Sequence, residues 1–278
     1  MSPEVISHCF TAFGGARCEI RSHDGEELAV SAAVEDTYTF EQTLTRFDPA
    51  SELSRFNASP GRPVMVSPLL EALLRATLDA YEDTDGLVNA AIGPALVAAG
   101  YDRTITALAR TAPKIGAPVV VPALPDVLAV GKGWAQLRRG CAIDLGGVGK
   151  GWLADTLSER FDNAVVNLGG DLRVRGSGED GGGWLVQMCD GTHLRLTDGG
   201  VATSGIGNRR WTGGHHLIDP RTGAPSATDI EAVSVAASTA LRAEVLAKAA
   251  ILVGADQARQ WLKRHGVQSF ATLAAVAA

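Results

Sequence analysis

The sequence lacks an excess of positive charge and long apolar runs, and each absence excludes a class of protein. The formal net charge is −6, so the chain does not have the basic surface that is typical of nucleic-acid-binding proteins. No apolar run approaches the roughly 18 residues of a membrane-spanning helix, so we expect no membrane partner. A secretory signal peptide has a basic region followed by an apolar run. Met1–Cys9 does not contain this pattern. We therefore expect a cytoplasmic protein.

Paired cysteines are also lacking. Cys9, Cys18, Cys141 and Cys189 do not form the closely spaced pairs of a structural metal site. We interpret them as buried thiols of a protein in a reducing compartment.

The length and composition suit a compact globular protein. The chain has 278 residues, of which 46% are hydrophobic and 20% are charged. These values predict one large domain over residues 1–278, or two small ones. We find no internal repeat.

Helical and β patterns mix irregularly, which favours an α+β fold with mainly antiparallel sheets over a doubly wound parallel sheet. Two β runs on either side of Asp190-Gly191 predict a hairpin, because Asp-Gly suits a two-residue turn. Gly14-Gly15 also separates two predicted strands. The stretch Phe47–Pro68 contains Asp-Pro and Ser-Pro pairs and predicts a loop. The helical patterns run over Glu26–Arg46, Leu69–Thr84, Gly149–Arg160, Thr239–Val253 and Ala255–Arg264.

A glycine-rich segment, Ala142–Gly151, precedes one of these helices and contains Asp144 and Lys150. Glycines let the backbone approach a ligand closely, and N–H groups at a helix start favour a phosphate. The segment is not a P-loop, because Asp144 and Gly151 stand where that motif has Gly and Ser or Thr. The alternative without a ligand is a strand-to-helix turn in which Lys150 pairs with Asp144 or Asp155 at the surface.

Two later segments place glycine beside polar side chains. Asn167–Asp171 follows a β run and contains two glycines, which is typical of a hairpin turn. Val201–Gly205 supplies the hydroxyls of Thr203 and Ser204, and by itself it is more typical of a capped turn than of a ligand site.

A histidine pair precedes a strong turn pattern. His215 and His216 are adjacent, so in a strand they face opposite sides and are poorly placed to bind one metal ion. Asp219–Gly223 is a turn pattern, since Asp accepts from the backbone and Pro sets φ. The turn either only reverses the chain or also directs His216 and Asp219 toward a ligand.

In their order along the chain, these segments resemble the ApbE family of flavin transferases, the FAD:protein FMN transferases. The resemblance extends over about residues 10–254, and seven segments in the family's order are not expected by chance. The segments that carry it are Phe10–Gly14, Phe47–Asn57, Gly93-Pro94, Asp144–Asp155, Asn167–Asp171, Thr203–Gly205 and His216–Gly223.

The resemblance implies an enzyme that uses FAD and Mg²⁺ in an α+β fold with an FAD cleft between two lobes. Such an enzyme transfers the FMN part of FAD to a threonine hydroxyl of a target flavoprotein and releases AMP. Some family members hydrolyse FAD to FMN and AMP. The implied partner is an acceptor flavoprotein, which we expect to be cytoplasmic.

By position, the resemblance also implies which residues contact FAD. Phe47 stands at the place of the aromatic residue that stacks on the isoalloxazine ring, Phe13 stands where the family usually has Met, and Asn89 replaces a usual Asp. The implied FAD-binding positions are Phe13, Phe47, Leu87, Val88, Asn89, Asp144, Gly147, Lys150, Asp155, Thr203, Ser204, His216 and Ile218. We predict that His216 or Asp219 assists deprotonation of the acceptor hydroxyl.

The implied metal site departs from the family pattern. The family binds Mg²⁺ through a backbone carbonyl, here at Gly147, and through an Asp and a Thr four residues apart on one helix. Glu244 and Lys248 occupy those two positions. Glu244 retains a carboxylate, whereas a charged Lys has donors only and cannot be a metal ligand. Lys248 either places its ammonium where the ion would sit, paired with Glu244, or extends to solvent.

Three functions follow from these patterns. The first is an active FMN transferase or FAD hydrolase with a modified metal site, which is our prediction. The second is a degenerate member that binds FAD with little or no turnover, because Glu244 and Lys248 replace the usual ligands. The third is a nicotinamide-dependent dehydrogenase, since Gly149–Ala154 fits G-x-G-x-x-A with Asp171 about twenty residues later.

Overall fold

The computed structural model describes residues 5–23, 27–110, 113–207 and 209–274. Glu26, the predicted start of the first helix, lies outside the described residues. The helices α1 to α8 are Glu27–Leu44, Glu52–Asn57, Pro68–Asp83, Gly93–Ala98, Ile105–Leu108, Gly149–Ser158, Ala240–Val253 and Ala255–Arg264. The strands β1 to β16 are Ile6–Ala12, Ala16–Ser22, Val64–Met65, Leu128–Gly131, Trp134–Leu137, Ala164–Leu168, Asp171–Arg175, Trp184–Gln187, His193–Leu196, Asp198–Gly205, Arg210–Trp211, Gly214–His215, Ile218–Asp219, Ala224–Pro225, Ile230–Ala237 and Ser269–Ala274. Short 3₁₀ helices cover Ala90–Ile92 and Leu124–Asp126.

The chain forms two compact units, each built from segments that are distant in sequence. The first unit contains Met1–Thr39, Gly149–Gly205 and Thr228–Ala278. The second unit contains Phe40–Val148 and Ile206–Ala227. The prediction that residues 1–278 make a single domain stays a prediction.

A seven-stranded sheet with the order β1-β2-β6-β7-β10-β15-β16 forms the centre of the first unit. Every neighbouring pair in it is antiparallel. Helix α7 packs against β10, β15 and α6. The predicted α+β fold with antiparallel sheets is therefore confirmed. The dinucleotide-binding alternative is wrong, because it needs a parallel sheet.

Helix α7 is apolar on most of its surface, which is typical of a helix enclosed by the rest of a domain. Its buried residues are mainly alanine, leucine, valine and isoleucine, and they also include the charged residue Glu244. The helix begins after Thr239, whose side chain accepts a hydrogen bond from the backbone N–H of Arg242 and so satisfies a donor that has no partner within the helix. An apolar helix that carries a buried carboxylate needs charged partners nearby.

The second unit contains a three-stranded sheet with the order β3-β5-β4 and the hairpins β11-β12 and β13-β14. Helix α3 starts with Ser67 as N-cap and Pro68 in its first turn, a combination that favours helix initiation. Its apolar face includes Leu70, Leu73 and Leu74, which are fully buried. The spacing of these leucines explains why the sequence predicts this helix well.

Several local predictions are confirmed and others are wrong. The hairpins at Gly14-Gly15 and Asp190-Gly191 are present as β1-β2 and β8-β9. The predicted loop Phe47–Pro68 is wrong in part, because the segment contains α2 and β3. Helix α2 begins after the N-cap Ser51 and has only six residues, which are too few to show a helical period in the sequence. The predicted capped turn Val201–Gly205 is part of β10, where pairing with β7 and β15 on both sides overrides the local turn preference.

The cysteine prediction is only partly right. All four are present as thiols. Cys18 is buried and Cys189 is half-buried, whereas Cys9 is exposed in the outermost strand of the large sheet, so the prediction of buried thiols is wrong for Cys9. Within the part of the chain that the structure describes, no helix is both long and apolar enough to cross a membrane.

Candidate functional site

Two lysines and two carboxylates form a compact ionic group in the first unit, which we call the lysine–carboxylate cluster (Lys150, Asp171, Glu244 and Lys248). Lys248 Nζ donates to Glu244 Oε1 at 2.9 Å, and Lys150 Nζ lies 3.3 Å from the same oxygen. Lys150 Nζ also pairs with Asp171 Oδ2. The backbone N–H of Gly151 donates to Glu244 Oε2 at 2.8 Å. Both oxygens of Glu244 are thus engaged by donors.

The elements that meet at this cluster explain its geometry. Lys150 lies in the first turn of α6, Asp171 begins β7 after the tight turn at Gly169-Gly170, and Glu244 and Lys248 lie on α7. Residues four apart on a helix share one face, so Lys248 reaches the carboxylate that Glu244 presents toward α6. A Cβ at position 151 would lie 2.7 Å from backbone atoms at the start of α7. Glycine therefore permits the close approach of the two helices.

Burial and charge have opposite effects on Glu244. The side chain of Glu244 is 0% exposed, and those of Lys150 and Lys248 are 17% and 13% exposed. Burial raises the pKa of Glu244, but the ammonium groups of Lys150 and Lys248 outweigh it and lower that pKa to about 2. The carboxylate is therefore ionised at neutral pH. The alternative that placed Lys150 at the surface is wrong.

The cluster does not have the donor set of a magnesium site. Mg²⁺ prefers about six oxygen ligands in octahedral geometry, whereas Glu244 shares its oxygens with two ammonium groups and a backbone N–H. A charge 4 Å from another of the same sign is repelled by about 4 kcal/mol near a protein surface, and a divalent ion doubles this. Among the described residues there is no group of three His, Cys, Asp or Glu side chains suited to a metal ion. Glu244 and Lys248 therefore do not fit Mg²⁺. The third predicted ligand, Gly147, lies in the second unit.

Asp155, a predicted FAD-binding residue, lies on α6, and its side chain contacts the start of α7. Its two carboxylate oxygens accept from the backbone N–H groups of Ala240 and Leu241 at 2.8 and 2.9 Å. Arg173 lies 3.3 Å from one of these oxygens. Burial raises the pKa of Asp155, although the two backbone hydrogen bonds and Arg173 act against it. This geometry makes Asp155 a cap of α7, and its contact with FAD stays a prediction.

The segments Val201–Gly205 and Asn167–Asp171 lie next to each other in the large sheet. The backbone N–H of Thr203 donates to Gly170 O at 3.0 Å, and Thr203 Oγ1 lies 2.7 Å from Ser234 Oγ. Ser204 is buried in the same strand. The predicted hairpin turn Asn167–Asp171 is confirmed, with β6 and β7 on its two sides. Sequence segments that are about thirty residues apart therefore lie side by side because of the antiparallel register.

Phe13 has an unusual backbone conformation. It lies in the β1-β2 turn with φ of 54°, a region that bulky residues rarely adopt. Such conformations are concentrated at functional sites, where the surrounding structure sustains their cost. The observation is consistent with a functional role for Phe13, which stays a prediction.

Three predicted FAD-binding residues are connected in the second unit. Arg46 Nε donates to Asp144 Oδ2 at 2.8 Å, and its guanidinium lies 4.2 Å from the centre of the Phe47 ring. The same guanidinium lies 4.6 Å from the ring of Tyr101. Phe47 and Ile218 pack on one apolar cluster that also contains Tyr101 and Trp211. The structure therefore brings Phe47, Asp144 and Ile218 into one neighbourhood.

The predicted residues Leu87, Val88 and Asn89 lie directly before a 3₁₀ helix. Asn89 Oδ1 accepts from the N–H of Ala91, and Asn89 Nδ2 donates to Pro122 O. Val88 and Asn89 are buried, and Leu87 is half-buried. The backbone N–H of Asp144 donates to Ala90 O at 2.9 Å. This bond holds the segment next to Asp144.

The adjacent histidines His215 and His216 differ in how deeply they are buried. His215 is buried, with Nε2 3.0 Å from Ser226 O and Nδ1 accepting from the N–H of Leu217. Burial lowers the pKa of His215 despite the hydrogen bond to Ser226, so the ring is held neutral. His216 is half-buried. The two rings therefore differ in burial, and the expectation that they do not bind one metal ion stays a prediction.

The predicted turn Asp219–Gly223 is confirmed between β13 and β14. Asp219 accepts from the backbone N–H of Arg221 at 2.9 Å, and Arg221 Nη2 donates to Asp219 Oδ2 at 2.7 Å. Gly223 has φ of 68° and its N–H donates to Asp219 O. The carboxylate of Asp219 is therefore used by its own turn.

The sequence argument missed two residues of these neighbourhoods. Asp171 lies within a recognised motif, but its role as partner of Lys150 depends on the packing of α6 against β7. Arg46 directly precedes the predicted aromatic Phe47, and its side chain connects that ring to Asp144. A basic residue beside an aromatic motif was the available signal, since guanidinium groups stack on rings.

Comparison with known proteins shows which proteins this chain is similar to. A family model described as the ApbE family matches residues 15–271. The chain is 30% identical to a protein of Treponema pallidum named FAD:protein FMN transferase, over 87% of this chain and 77% of that protein. It is 25% identical to a protein of Escherichia coli K12 with the same name, over 82% of this chain and 71% of that one.

Two solved structures show the same fold. The apo form of the flavinyl transferase ApbE of Pseudomonas stutzeri superposes with a TM-score of 0.81 at 20% identity, covering 99% of this chain and 96% of that chain. The apbe protein of Thermotoga maritima superposes with a TM-score of 0.81 at 22% identity, covering 97% of both chains. The arrangement of helices and antiparallel sheets is therefore shared with these structures.

Proposed function

The chain belongs to the ApbE family, and we propose that it transfers FMN from FAD to a threonine hydroxyl of a target flavoprotein and releases AMP. The observation that carries this proposal is the similarity to proteins named FAD:protein FMN transferase over 82–87% of the chain. Hydrolysis of FAD to FMN and AMP is the same reaction with water as acceptor.

In the proposed reaction, the hydroxyl oxygen of the acceptor attacks the phosphorus atom of the FMN half of FAD. A new phosphorus–oxygen bond forms as the bond from that phosphorus to the bridging oxygen breaks, and AMP leaves with the bridging oxygen. The hydroxyl proton passes to a base. Positioning and charge neutralisation supply most of the catalysis in phosphoryl transfer.

We propose that the neighbourhood of Phe47, Asp144 and Ile218 in the second unit contributes to FAD binding. Phe47 is half-buried and stacked against Arg46, so the ring is held in place before any ligand arrives. A preorganised aromatic ring suits the planar isoalloxazine. Replacing Phe47 with Ala should weaken FAD binding, measured by fluorescence titration, whereas Phe47→Tyr should retain it.

For the general base, the geometry favours His216 over Asp219 within the pair that we predict. Both Asp219 oxygens accept from Arg221, so this carboxylate already serves the turn. His216→Ala should reduce transfer by roughly 10²–10⁴-fold if His216 takes the proton. Unaltered rates in both His216→Ala and Asp219→Ala would reject a base in this turn.

The place of action is a further part of the proposal. We propose that the protein and its acceptor meet in the cytoplasm. The four cysteines, which are thiols in the structure, are consistent with a reducing compartment. Alkylation of intact cells followed by mass spectrometry of Cys9, the exposed thiol, would test this.

The test of the function is chromatography of FAD incubated with the purified protein and a flavin-free candidate acceptor. We expect AMP in the supernatant and covalent FMN on the acceptor. An acceptor whose target threonine is replaced by Val is the matched control and should remain unlabelled. FAD that stays bound to the protein without AMP release, with several acceptors and with water alone, would support the degenerate FAD-binding alternative instead.

A further inference from the structure

We infer that the ammonium groups of Lys150 and Lys248 take the place of a divalent ion at Glu244, so that FMN transfer by this chain needs no metal there. The inference rests on the proposed function for its catalytic part. Its structural part, that Glu244 does not bind a divalent ion, stands on the lysine–carboxylate cluster alone.

The first argument is the occupation of the carboxylate. Glu244 is completely buried, Oε1 is within 3.3 Å of both ammonium nitrogens, and Oε2 accepts from the N–H of Gly151. A metal ion at this carboxylate would have to displace at least one of these donors. The displaced ammonium would then lose a buried partner, which is unfavourable.

The second argument is charge balance. Glu244 and Asp171 contribute two negative charges, and Lys150 and Lys248 contribute two positive charges, through contacts that connect all four side chains. The cluster is therefore neutral as it stands. A divalent ion would add two positive charges beside two ammonium groups, whereas a neutral residue in place of Lys248 would leave one negative charge for a cation to balance.

The third argument is that the cluster retains what phosphoryl transfer requires. Lys150 lies in the first turn of α6, where the helix dipole adds partial positive charge. An ammonium group has three donors and serves phosphates as a point charge. Lys248 is 13% exposed, so its charge is only weakly screened by water. Although the cluster as a whole is neutral, its fixed ammonium groups therefore offer a phosphate N–H donors that a chelator cannot remove.

The structural part is tested by metal titration without substrate. We would titrate MnCl₂ and MgCl₂ into the wild-type protein by calorimetry and follow Mn²⁺ by electron paramagnetic resonance. We expect no binding below millimolar concentration. The double variant Glu244→Asp with Lys248→Thr should gain one Mn²⁺ site, and Lys263→Thr, which removes an exposed lysine of α8, should gain none. Wild-type binding of Mn²⁺ that Glu244→Gln removes would overturn the inference.

The catalytic part is tested by AMP release from FAD with the same acceptor, in EDTA and in MgCl₂. We expect wild-type rates that agree within twofold in the two conditions. Lys248→Met should lower the rate at least tenfold, whereas Lys248→Arg, which keeps the charge, should restore most of it. Thermal unfolding of each variant would show which rate losses come from misfolding. The comparison of wild-type rates in EDTA and in MgCl₂ does not depend on any variant folding correctly.

The failures of the inference and of the proposed function are distinguishable. AMP release that stops in EDTA and returns with Mg²⁺ would overturn the inference and support the function. AMP release in neither condition, with every acceptor, would contradict the function, and the metal titration would still decide whether Glu244 binds a divalent ion.

Discussion

The lysine–carboxylate cluster of the first unit and the Asp219–Gly223 turn of the second both fix a buried carboxylate, but they do so by different means. Glu244 receives donors from two helices, and one of them comes from Lys150, which is 94 residues away in sequence. Asp219 receives its donors from Arg221, two residues away. The first carboxylate depends on tertiary packing, and the second depends mainly on local turn geometry. We therefore expect mutations to have unequal effects in the two regions.

The largest difference should come from Glu244→Gln. This change keeps the shape of the side chain but leaves Lys150 and Lys248 without the charge between them. Removing one partner of a buried ionic group costs about 3–5 kcal/mol, and we expect this loss in the free energy of unfolding, measured by urea denaturation at pH 7. Glu159→Gln, at an exposed carboxylate, is the matched control and should change stability by less than about 0.5 kcal/mol. An equally small effect at Glu244 would show that the cluster is not held together by its charges.

The pH dependence of stability sharpens the comparison. The pKa of Glu244 is lowered from 4.5 to about 2 in the folded protein, so between these values the unfolded chain binds the proton more readily. Stability from this group is fully present above pH 4.5 and is lost as the pH falls toward 2. The advantage of the wild type over Glu244→Gln should therefore shrink by roughly 3 kcal/mol across this range. A constant difference between the two proteins would contradict the folded-state pKa.

The same contrast determines how much of the candidate site could be predicted. The turn was predictable from Asp219, Pro220 and Gly223, because each acts on backbone atoms within a few residues. Glu244 and Lys248 were predictable as partners because they are four apart on a helix. The participation of Asp171 was not predictable, since nothing in its local sequence indicates that β7 lies against α6.

The fold shows a similar limit. The helices α3, α7 and α8 were predicted to within two residues at each end, because α3 and α8 have a periodic apolar face and α7 is a long, nearly continuous apolar segment. Helix α2 was missed since six residues do not establish a period. Strand β10 was mistaken for a turn in its last part, because its conformation is decided by the strands on either side rather than by Thr203, Ser204 and Gly205.

Helix α7 is capped by one residue that is distant in sequence, Asp155, and by one that is adjacent, Thr239. Replacing each of them tests the same contrast between tertiary and local contacts with a smaller expected effect. Asp155 accepts from two N–H groups at the start of α7, and Thr239 accepts from one N–H. Loss of a cap costs roughly 0.5–2 kcal/mol, so we expect Asp155→Ala near the upper end and Thr239→Ala near 1 kcal/mol in thermal unfolding. Asp155→Asn, which keeps an oxygen acceptor, should recover part of the loss. A larger effect from Thr239 would mean that local capping dominates even here.

The smallest loss of stability is expected from replacing Arg221. Its size decides whether Asp219 is held mainly by the backbone of its own turn. The Arg221 side chain is 56% exposed, and exposed ion pairs contribute about 0–1 kcal/mol. Arg221→Ala keeps the backbone N–H that donates to Asp219, so stability should fall by less than about 1 kcal/mol in urea denaturation. Arg221→Lys is the control that keeps the charge but loses the paired guanidinium contact. A loss above about 2 kcal/mol would show that the guanidinium, rather than the backbone, holds Asp219. In that case the turn would depend on a side-chain ion pair just as the lysine–carboxylate cluster does, and the contrast between local and tertiary control would fail.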